Sequence, residues 1–347
     1  MISPAPHVTL ESKLDFLRQP DSYAGGTQWV EAIETHMSWV FLTDGHAYKL
    51  KKPVRQDLFD FRSLAARRHY CEEELRLNRR LAPDVYLGVD PLSVDALGRL
   101  HLGRHGTVVD WLVRMRRLPR QRMLDHALRH ASAGAEDIRR VAARLALFYR
   151  GCVPVLLDPA SYRAGFLRSI ALNLRELSRP AYGLPAARVA ALCRAQRAVL
   201  EDRPDWFDQR ARAGKIVEGH GDLRPEHVFL GPPVSIIDCL EFSRALRLID
   251  PVDELGFLAL ECERLHASAA GALLLRTYGE LSGDAPGAAL VHFYQGYRAS
   301  TRARIAIRHL IEEQFRDSPT WRRRALRYLR LAERHQASSN SVIEPPP

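Results

Sequence analysis

Long apolar runs are missing from this 347-residue sequence; none approaches the ~18 residues that a membrane-spanning helix requires. The amino terminus, MISPAPHVTLESKLDFLRQP, lacks a basic segment followed by an apolar core, so no secretory signal is expected. Cysteine is sparse. The five present (Cys71, Cys152, Cys193, Cys239 and Cys262) are scattered and odd in number, with no CxxC or Cys/His cluster. That favours reduced thiols in a cytoplasmic protein over a disulfide or zinc framework. Lysine is scarce beside arginine: Lys13, Lys49, Lys51, Lys52 and Lys215 stand against 46 arginines, and three of the five fall within Lys49-Leu50-Lys51-Lys52. No internal repeat or low-complexity linker is present. With 46% hydrophobic and 27% charged residues, the composition excludes collagen, coiled coil and wholesale disorder. At about 150 residues per domain, the length corresponds to two domains or lobes with a sizeable core. The net charge is +10.

A helix is expected at Leu10–Leu17, with nothing else defined in the first thirty residues. Ser38–Thr43 and His46–Lys51 read as strands around Asp44-Gly45, a strong hairpin signal, and Pro53 ends the second. The spacing predicts a long helix over Ser63–Ala82, stopped by Pro83, then strands over Val85–Val94 and Gly106–Met115. Beyond Leu118-Pro119 the pattern is mainly helical to about Arg212, as at Ala135–Arg150 and Pro185–Leu200. A β-like island interrupts it at Lys215–Phe242, where His227–Leu230 and Val234–Asp238 flank Gly231-Pro232-Pro233 as a hairpin. Helices resume to about His335, and the polar, proline-ended segment 336–347 reads as a disordered tail. The expected architecture is α+β. A small antiparallel-sheet lobe with one main helix covers residues 1–118, and a larger, mainly helical lobe covers 119–335.

Residues suited to chemistry concentrate in His220-Gly221-Asp222-Leu223-Arg224-Pro225-Glu226-His227, followed sixteen residues after Asp222 by Asp238. Two aspartates on a loop-hairpin-loop unit suit phosphoryl transfer. One carboxylate accepts the proton of an attacking hydroxyl, and the other holds Mg²⁺ against nucleotide phosphates. Arg224 is placed to stabilise charge on the transferred group. Taken singly, Asp222 also reads as a turn cap and Asp238 as a strand terminator.

This octapeptide resembles the catalytic loop of the protein-kinase-like superfamily, in both the HxDLKPEN form of protein kinases and the HGDLHPGN form of aminoglycoside and choline phosphotransferases. Three further segments, THMSWVFLTDGHAYKLKKPV, RRHYCEEELRLNRRLAPDVYLGV and IIDCLEFSRALRLIDPVDELGFLALE, resemble one bacterial branch of aminoglycoside-phosphotransferase-like proteins. The motifs follow the family's order over residues 30–265. Some members of that branch carry a second, P-loop kinase domain, but no GxxxxGK followed by Ser or Thr occurs in this sequence.

The resemblance implies a two-lobed kinase-like fold with Mg-ATP bound between the lobes, and it can be carried over residue by residue. Asp222 matches the catalytic base and Asp238 the metal-binding aspartate. Lys49 matches the lysine that contacts the α/β-phosphates; Lys51 shares its strand face at period two and remains an alternative, while Lys52 faces solvent. That lysine's partner is a glutamate on the following helix, and Glu72-Glu73-Glu74 offers three choices. At about 100° per residue, Glu74 falls within the apolar stripe of Tyr70, Cys71, Leu77 and Leu81, whereas Glu72 points outward. A carboxylate on a buried face requires a cation, so Glu74 is the expected partner. Asp253 matches an aspartate that braces the catalytic loop through backbone hydrogen bonds, and it also reads as a helix N-cap. His220 is expected to pack the loop. Glu241 is a candidate contact for metal or substrate.

Two departures stand out. Where the family places an asparagine that ligates a second Mg²⁺, this chain has His227, a poorer ligand for Mg²⁺ than an oxygen donor. One metal sufficing, an altered metal preference and weakened catalysis are the possible consequences. No glycine-rich loop precedes the first hairpin strand, and Thr35-His36-Met37-Ser38 stands in its place. The expected function is ATP-dependent transfer of a phosphoryl group to a small-molecule hydroxyl; the alternative is a nucleotide-binding pseudokinase with a regulatory or scaffolding role. The +10 charge argues against a polycationic acceptor. Arginine-rich Thr301–His335 has no recognised nucleic-acid motif or aromatic platform, so it reads as the solvated face of a packed helix. Neither a membrane nor a nucleic acid is expected as partner.

Overall fold

The computed structural model describes residues 8–312 and 318–341. Six antiparallel strands form its main sheet, in the spatial order Glu31–Glu34, Ser38–Leu42, His46–Lys51, Thr107–Arg116, Tyr86–Val94 and Leu100–Leu102. Alternation along each strand sends successive side chains to opposite faces, and each face meets its own helix. Phe41, Tyr48, Leu50, Leu92 and Leu112 bury against Leu14 and Leu17 of the helix Leu10–Leu17. Ala47, Trp111, Val113 and Met115 pack on the other face with Cys71 of the helix Leu64–Asn78. The Ser63 hydroxyl caps that helix by accepting from Ala66 N at 3.1 Å. Lys49 and Lys51 are in phase with Ala47, so they are directed toward this second helix.

The expected hairpin at Asp44-Gly45 is present, with Leu42 opposite Ala47. The two outer strands, Glu31–Glu34 and Leu100–Leu102, were not expected. Both are short edge strands, and the first reads EAIE, with three of its four residues exposed. Edge strands carry little of the apolar alternation that marks an inner strand.

Compactness does not divide the chain at the expected 118/119 break. One unit holds the described residues up to His126 together with Glu226–Leu246, and the other holds Ala127–Pro225 and the described residues from Arg247 onward. The cause lies in the hairpin of Val228–Phe229 with Ser235–Ile236, which is bonded into the sheet-bearing unit. Leu230 N donates to Arg122 O at 2.9 Å, and Cys239 N donates to Asn78 Oδ1 at 2.9 Å.

The helical unit contains Ala135–Arg150, Pro159–Leu177, Ala186–Asp202, Pro204–Arg212, Pro251–Arg264, Ser268–Ser282, Ala288–Arg308 and Pro319–Ser341. A two-stranded ladder, Val217–Glu218 against Leu248–Ile249, brackets the segment 219–247, which begins with the loop at 219–225. In the core, Phe207 stacks edge-on to Phe293 with centroids 4.9 Å apart. Arg210 is buried and clamped by Asp250 and Asp284; burial opposes its charge, but the two carboxylates raise its pKa well above the usual range. The expected tail at 336–347 is corrected in part. The last helix continues through Ser341, with Gln336 and Ser339 buried and Ser339 Oγ donating to Ala289 O at 2.9 Å. Residues 342–347 lie outside the described residues. Ala325, Tyr328, Leu329 and Ala332 form the buried stripe of this helix, which lies along Ala288–Arg308. No helix among the described residues is long and apolar enough to cross a membrane.

A buried ion triad ties the sheet to both of its helices: Asp110 accepts from Lys13 Nζ at 2.7 Å and from Arg67 Nε at 2.6 Å. Asp110→Ala would leave two cations buried beside each other, and a urea titration is expected to show a loss of about 3–5 kcal/mol. A loss under about 1 kcal/mol would mean that water reaches the pair as in a surface salt bridge.

Candidate active site

The sheet-bearing unit assembles five charged side chains into an alternating chain. Lys49 Nζ donates to Glu74 Oε1 and to Asp238 Oδ1, both at 2.9 Å. Lys51 Nζ donates to Glu74 Oε2 at 2.6 Å and to Glu241 Oε1. The order is Asp238–Lys49–Glu74–Lys51–Glu241, a cation always between anions. Burial works against charge on both lysines, but Asp238, Glu74 and Glu241 outweigh it and hold the ammonium groups above their usual range. Burial likewise disfavours the Glu74 carboxylate, and Lys49 and Lys51 together bring its pKa below the usual value. Glu72 and Glu73 are taken up on the outer side of the helix by Arg68 and Arg76.

The expectation for Glu74 therefore matches the geometry, and the two lysines separate by exposure. The Lys51 side chain is 0% exposed and is walled in by Glu74 and Glu241, with the Phe61 ring 5.3 Å away. Lys49 reaches the more open end of the chain, where the Asp238 side chain is 46% exposed. Glu241 is buried on Lys51, which places it inside the structural end rather than at the open one. Lys52, expected to face solvent, pairs with exposed Glu34, but its own side chain is only 15% exposed.

Asp238 is held with φ at +61°, a left-handed conformation that aspartate tolerates better than most residues. Side chains on either side fix it: Asp238 N donates to Tyr86 Oη at 3.0 Å, and Asn78 Oδ1 takes the next amide. Asn78 also donates to Glu74 O at 2.8 Å, so one helical turn positions both Glu74 and the loop that carries Asp238. Sequence reasoning missed Tyr86 and Asn78. The available signal was the spacing of Asn78 four residues beyond Glu74, on the same helical face. In the segment 35–38, which stands in place of a glycine-rich loop, the Thr35 hydroxyl bonds to Ser38. Thr35 Oγ1 donates to Ser38 O at 2.8 Å and accepts from Ser38 N at 3.0 Å.

The segment His220–His227 lies in the helical unit as far as Pro225. Asp222 Oδ2 accepts from Arg224 Nε at 3.0 Å. His220 is fully buried and packs the loop as expected, its Nδ1 accepting from Asp222 N at 3.3 Å. The brace is Glu254, one residue beyond the expected Asp253. Both Glu254 carboxylate oxygens accept from His220 N at 3.0 Å, Oε1 also takes Gly221 N, and Tyr149 Oη donates to Oε2 at 2.7 Å. A Cβ at Gly219 would stand 2.5 Å from that carboxylate, so only glycine fits. Asp253 instead takes Arg298 in a two-point pair at 2.7 and 2.6 Å. Burial outweighs that pair and holds the Asp253 carboxyl above its usual range. The N-cap role expected of Asp253 belongs to Asp250, which accepts from Val252 N at 2.9 Å.

No family model matches the chain. It is 33% identical over 303 residues to uncharacterized proteins of Mycobacterium bovis and Mycobacterium tuberculosis, the match covering 82% of this chain and 59% of theirs. The chain thus spans about three-fifths of the length of these curated relatives. Among solved structures, the GDP complex of a mutant aminoglycoside 2'-phosphotransferase-IIIa superposes with a TM-score of 0.56 at 15% identity, covering 90% of this chain and 94% of that one. A choline/ethanolamine kinase family protein from Mesorhizobium loti gives 0.55 at 18% identity, covering 95% and 98%. Choline kinase from Cryptosporidium parvum gives 0.54 at 10% identity, also covering 95% and 98%. The chain has the protein-kinase-like fold of the aminoglycoside phosphotransferases and choline/ethanolamine kinases, with an antiparallel-sheet N-lobe and a helical C-lobe.

That fold implies a nucleotide accompanied by Mg²⁺, and the donor set can be tested against it. Among the described residues, no three His, Cys, Asp or Glu side chains converge as a metal cage. His227 Nε2 lies 3.4 Å from Asp238 Oδ2, which brings a nitrogen rather than an oxygen to that carboxylate. Mg²⁺ is commonly held by one or two carboxylates plus phosphate oxygens and water. The half-open Asp238 carboxylate fits an ion that arrives with a nucleotide, and the residues do not fit a resident metal centre.

The charged chain sets a pH window. With its pKa depressed in the folded state, Glu74 stabilises the fold above its unfolded value of about 4.3 and loses that contribution as pH falls through the folded value. Lys49 and Lys51, whose folded values are raised, contribute fully below about 10.4 and lose that contribution as pH climbs through the folded values. The melting temperature of the wild type is expected to fall on both sides of this range. Glu74→Gln should lower the plateau and flatten the acid limb; an unchanged acid limb would remove Glu74 from the network.

Proposed function

We propose that this chain is a phosphotransferase that binds ATP with Mg²⁺ and transfers the γ-phosphoryl group to a hydroxyl of a small molecule. The observation that carries this reading is the Lys49 ammonium fixed between buried Glu74 and half-open Asp238. A lysine restrained in this way meets nucleotide phosphates without having to be ordered on binding. Mg²⁺, when bound beside Asp238, supplies positive charge to the phosphate oxygens. Asp222 accepts the acceptor's hydroxyl proton as the new O–P bond forms and the bond from the γ-phosphorus to the β-bridging oxygen breaks, releasing ADP. Arg224 orients the Asp222 carboxylate and offsets charge on the transferred group. Glu254 and Tyr149 hold the loop backbone so that Asp222 keeps its place. Five free thiols favour a cytoplasmic setting.

One observation favours a second reading, a nucleotide-binding pseudokinase: His227 faces the same carboxylate that the metal needs. The two readings separate on nucleotide titration and turnover. Calorimetry with ATP is expected to show binding strengthened by Mg²⁺ and blunted in Asp238→Asn. Asp222→Asn is expected to lower turnover by about 10²–10⁴-fold, the usual contribution of a general base, with nucleotide affinity kept. Binding indifferent to Mg²⁺, with no turnover on any hydroxyl acceptor, would assign the chain to the pseudokinase reading. Loss of nucleotide affinity in Asp222→Asn would remove Asp222 as the base.

A further inference from the structure

In the helical unit Arg224 and Arg302 both face Asp222, and Arg302 makes no hydrogen bond among the described residues. Arg302 projects from the helix Ala288–Arg308 with Nη1 3.9 Å from Asp222 Oδ1 and Nε 4.0 Å from Glu261 Oε1. Both separations exceed hydrogen-bond length. Nε is buried without a hydrogen-bond partner among the described residues, although the side chain as a whole is 13% exposed. The guanidinium carbon lies 5.9 Å from the ring centres of both Phe257 and Tyr328. These aromatic faces position the group through cation–π contact and leave its N–H edge unfilled.

The other charges nearby are matched. Arg298 is clamped by Asp253, and Glu261 takes Arg264 Nε at 2.6 Å and Tyr328 Oη at 2.6 Å. Glu254 is spent on the loop amides. Among these described side chains of the helical unit, a cationic acceptor would be left with Asp222, which already faces Arg224 and Arg302. A mostly buried guanidinium with unfilled donors is costly to maintain, and that cost is recovered when a ligand brings the acceptor oxygens.

We infer that Arg302 selects an acceptor that carries an anionic group, a carboxylate or a phosphate, close to the hydroxyl deprotonated by Asp222. The inference rests on the reading of Asp222 as general base. The 3.9 Å between the two side chains limits the acceptor to a compact one, such as a short hydroxy acid or a phosphorylated alcohol, with anion and hydroxyl on neighbouring carbons.

Two measurements test it. First, inorganic phosphate is titrated calorimetrically into protein saturated with Mg²⁺ and a non-hydrolysable ATP analogue, which fills the nucleotide phosphate positions. Binding is expected, weakened about tenfold or more in Arg302→Gln and partly restored in Arg302→Lys. Second, turnover is compared between short hydroxy acids or phosphorylated alcohols and neutral or amino alcohols of the same length. Anionic acceptors are expected to be preferred, with Arg302→Gln raising KM about tenfold and leaving kcat within a few-fold. A melting temperature close to wild type is expected for Arg302→Gln, since no hydrogen bond is lost, and checks that the variant folds.

Phosphate binding that is absent or indifferent to Arg302→Gln overturns the proposal, as does preferred turnover of a neutral or cationic acceptor. A shift in the acid limb of the pH–rate profile, equal for every acceptor and without a change in phosphate binding, would make Arg302 a residue that tunes Asp222 and would likewise overturn it. Arg302-dependent phosphate binding in a protein that turns over no acceptor would support the anion site while overturning the reading of Asp222 as base.

Discussion

Much of the sheet-bearing unit follows from one electrostatic constraint: two lysines on the same face of one strand must be buried together. Side by side and desolvated, Lys49 and Lys51 would repel each other and give up a proton. Glu74 between them makes the arrangement tolerable, and Asp238 and Glu241 complete it at either end. The consequences are structural before they are functional. The helix Leu64–Asn78 must lie on the lysine face with Glu74 turned inward. A slip of one residue in the strand His46–Lys51 would send both lysines into the apolar layer of Leu14 and Leu17, so the register is strongly specified.

The helical unit solves a related problem with backbone rather than side-chain charge. A buried loop carries amide donors that need acceptors. Glu254 supplies them to His220 and Gly221, and the lack of room at Gly219 lets the carboxylate come close. The same arrangement recurs in both units, with one carboxylate open and its support closed. Asp238 and Asp222 have side chains 46% and 24% exposed, whereas Glu74 and Glu254 are both 1% exposed. Exposed carboxylates remain accessible to ligand, and the buried ones keep them from moving.

What could be read in the sequence was what repeats or what carries a periodic phase. The helix at Leu10–Leu17, the central strands and the inward choice of Glu74 all follow from spacing, and the structure agrees with each. The misses are contacts for which spacing holds no information. Glu254 and Asp253 are adjacent on a fully buried stretch of helix, where no polar face distinguishes them; only the fold decides which meets the loop and which meets Arg298. The hairpin at 228–236 was recognisable, but its membership of the sheet-bearing unit depends on bonds to Arg122 and Asn78, more than a hundred residues away in sequence. The polar end of the last helix resembled a tail because its buried residues, Gln336 and Ser339, are polar and are satisfied by tertiary contacts.

The scarcity of lysine sharpens the contrast between the two units. Where arginine is nine-tenths of the basic complement, the two cations of the buried chain are both lysines. An ammonium is a compact charge with three donors directed around one atom, so it serves two carboxylates approaching from different sides. A guanidinium is planar and larger, and it is best matched by one planar anion in a two-point pair, as Asp253 provides for Arg298. The network of Lys49 and Lys51 is therefore one that arginine would not fit without opening the strand–helix interface. Around Asp222 the requirement is reversed, because the Arg302 guanidinium, 5.9 Å from the ring centres of Phe257 and Tyr328, is held by cation–π contact without spending its donors. Lysine there would lose the aromatic support and the two-point geometry together. The choice of cation thus distinguishes a closed charge network, which holds the fold, from an open one, which has an oxyanion still to receive.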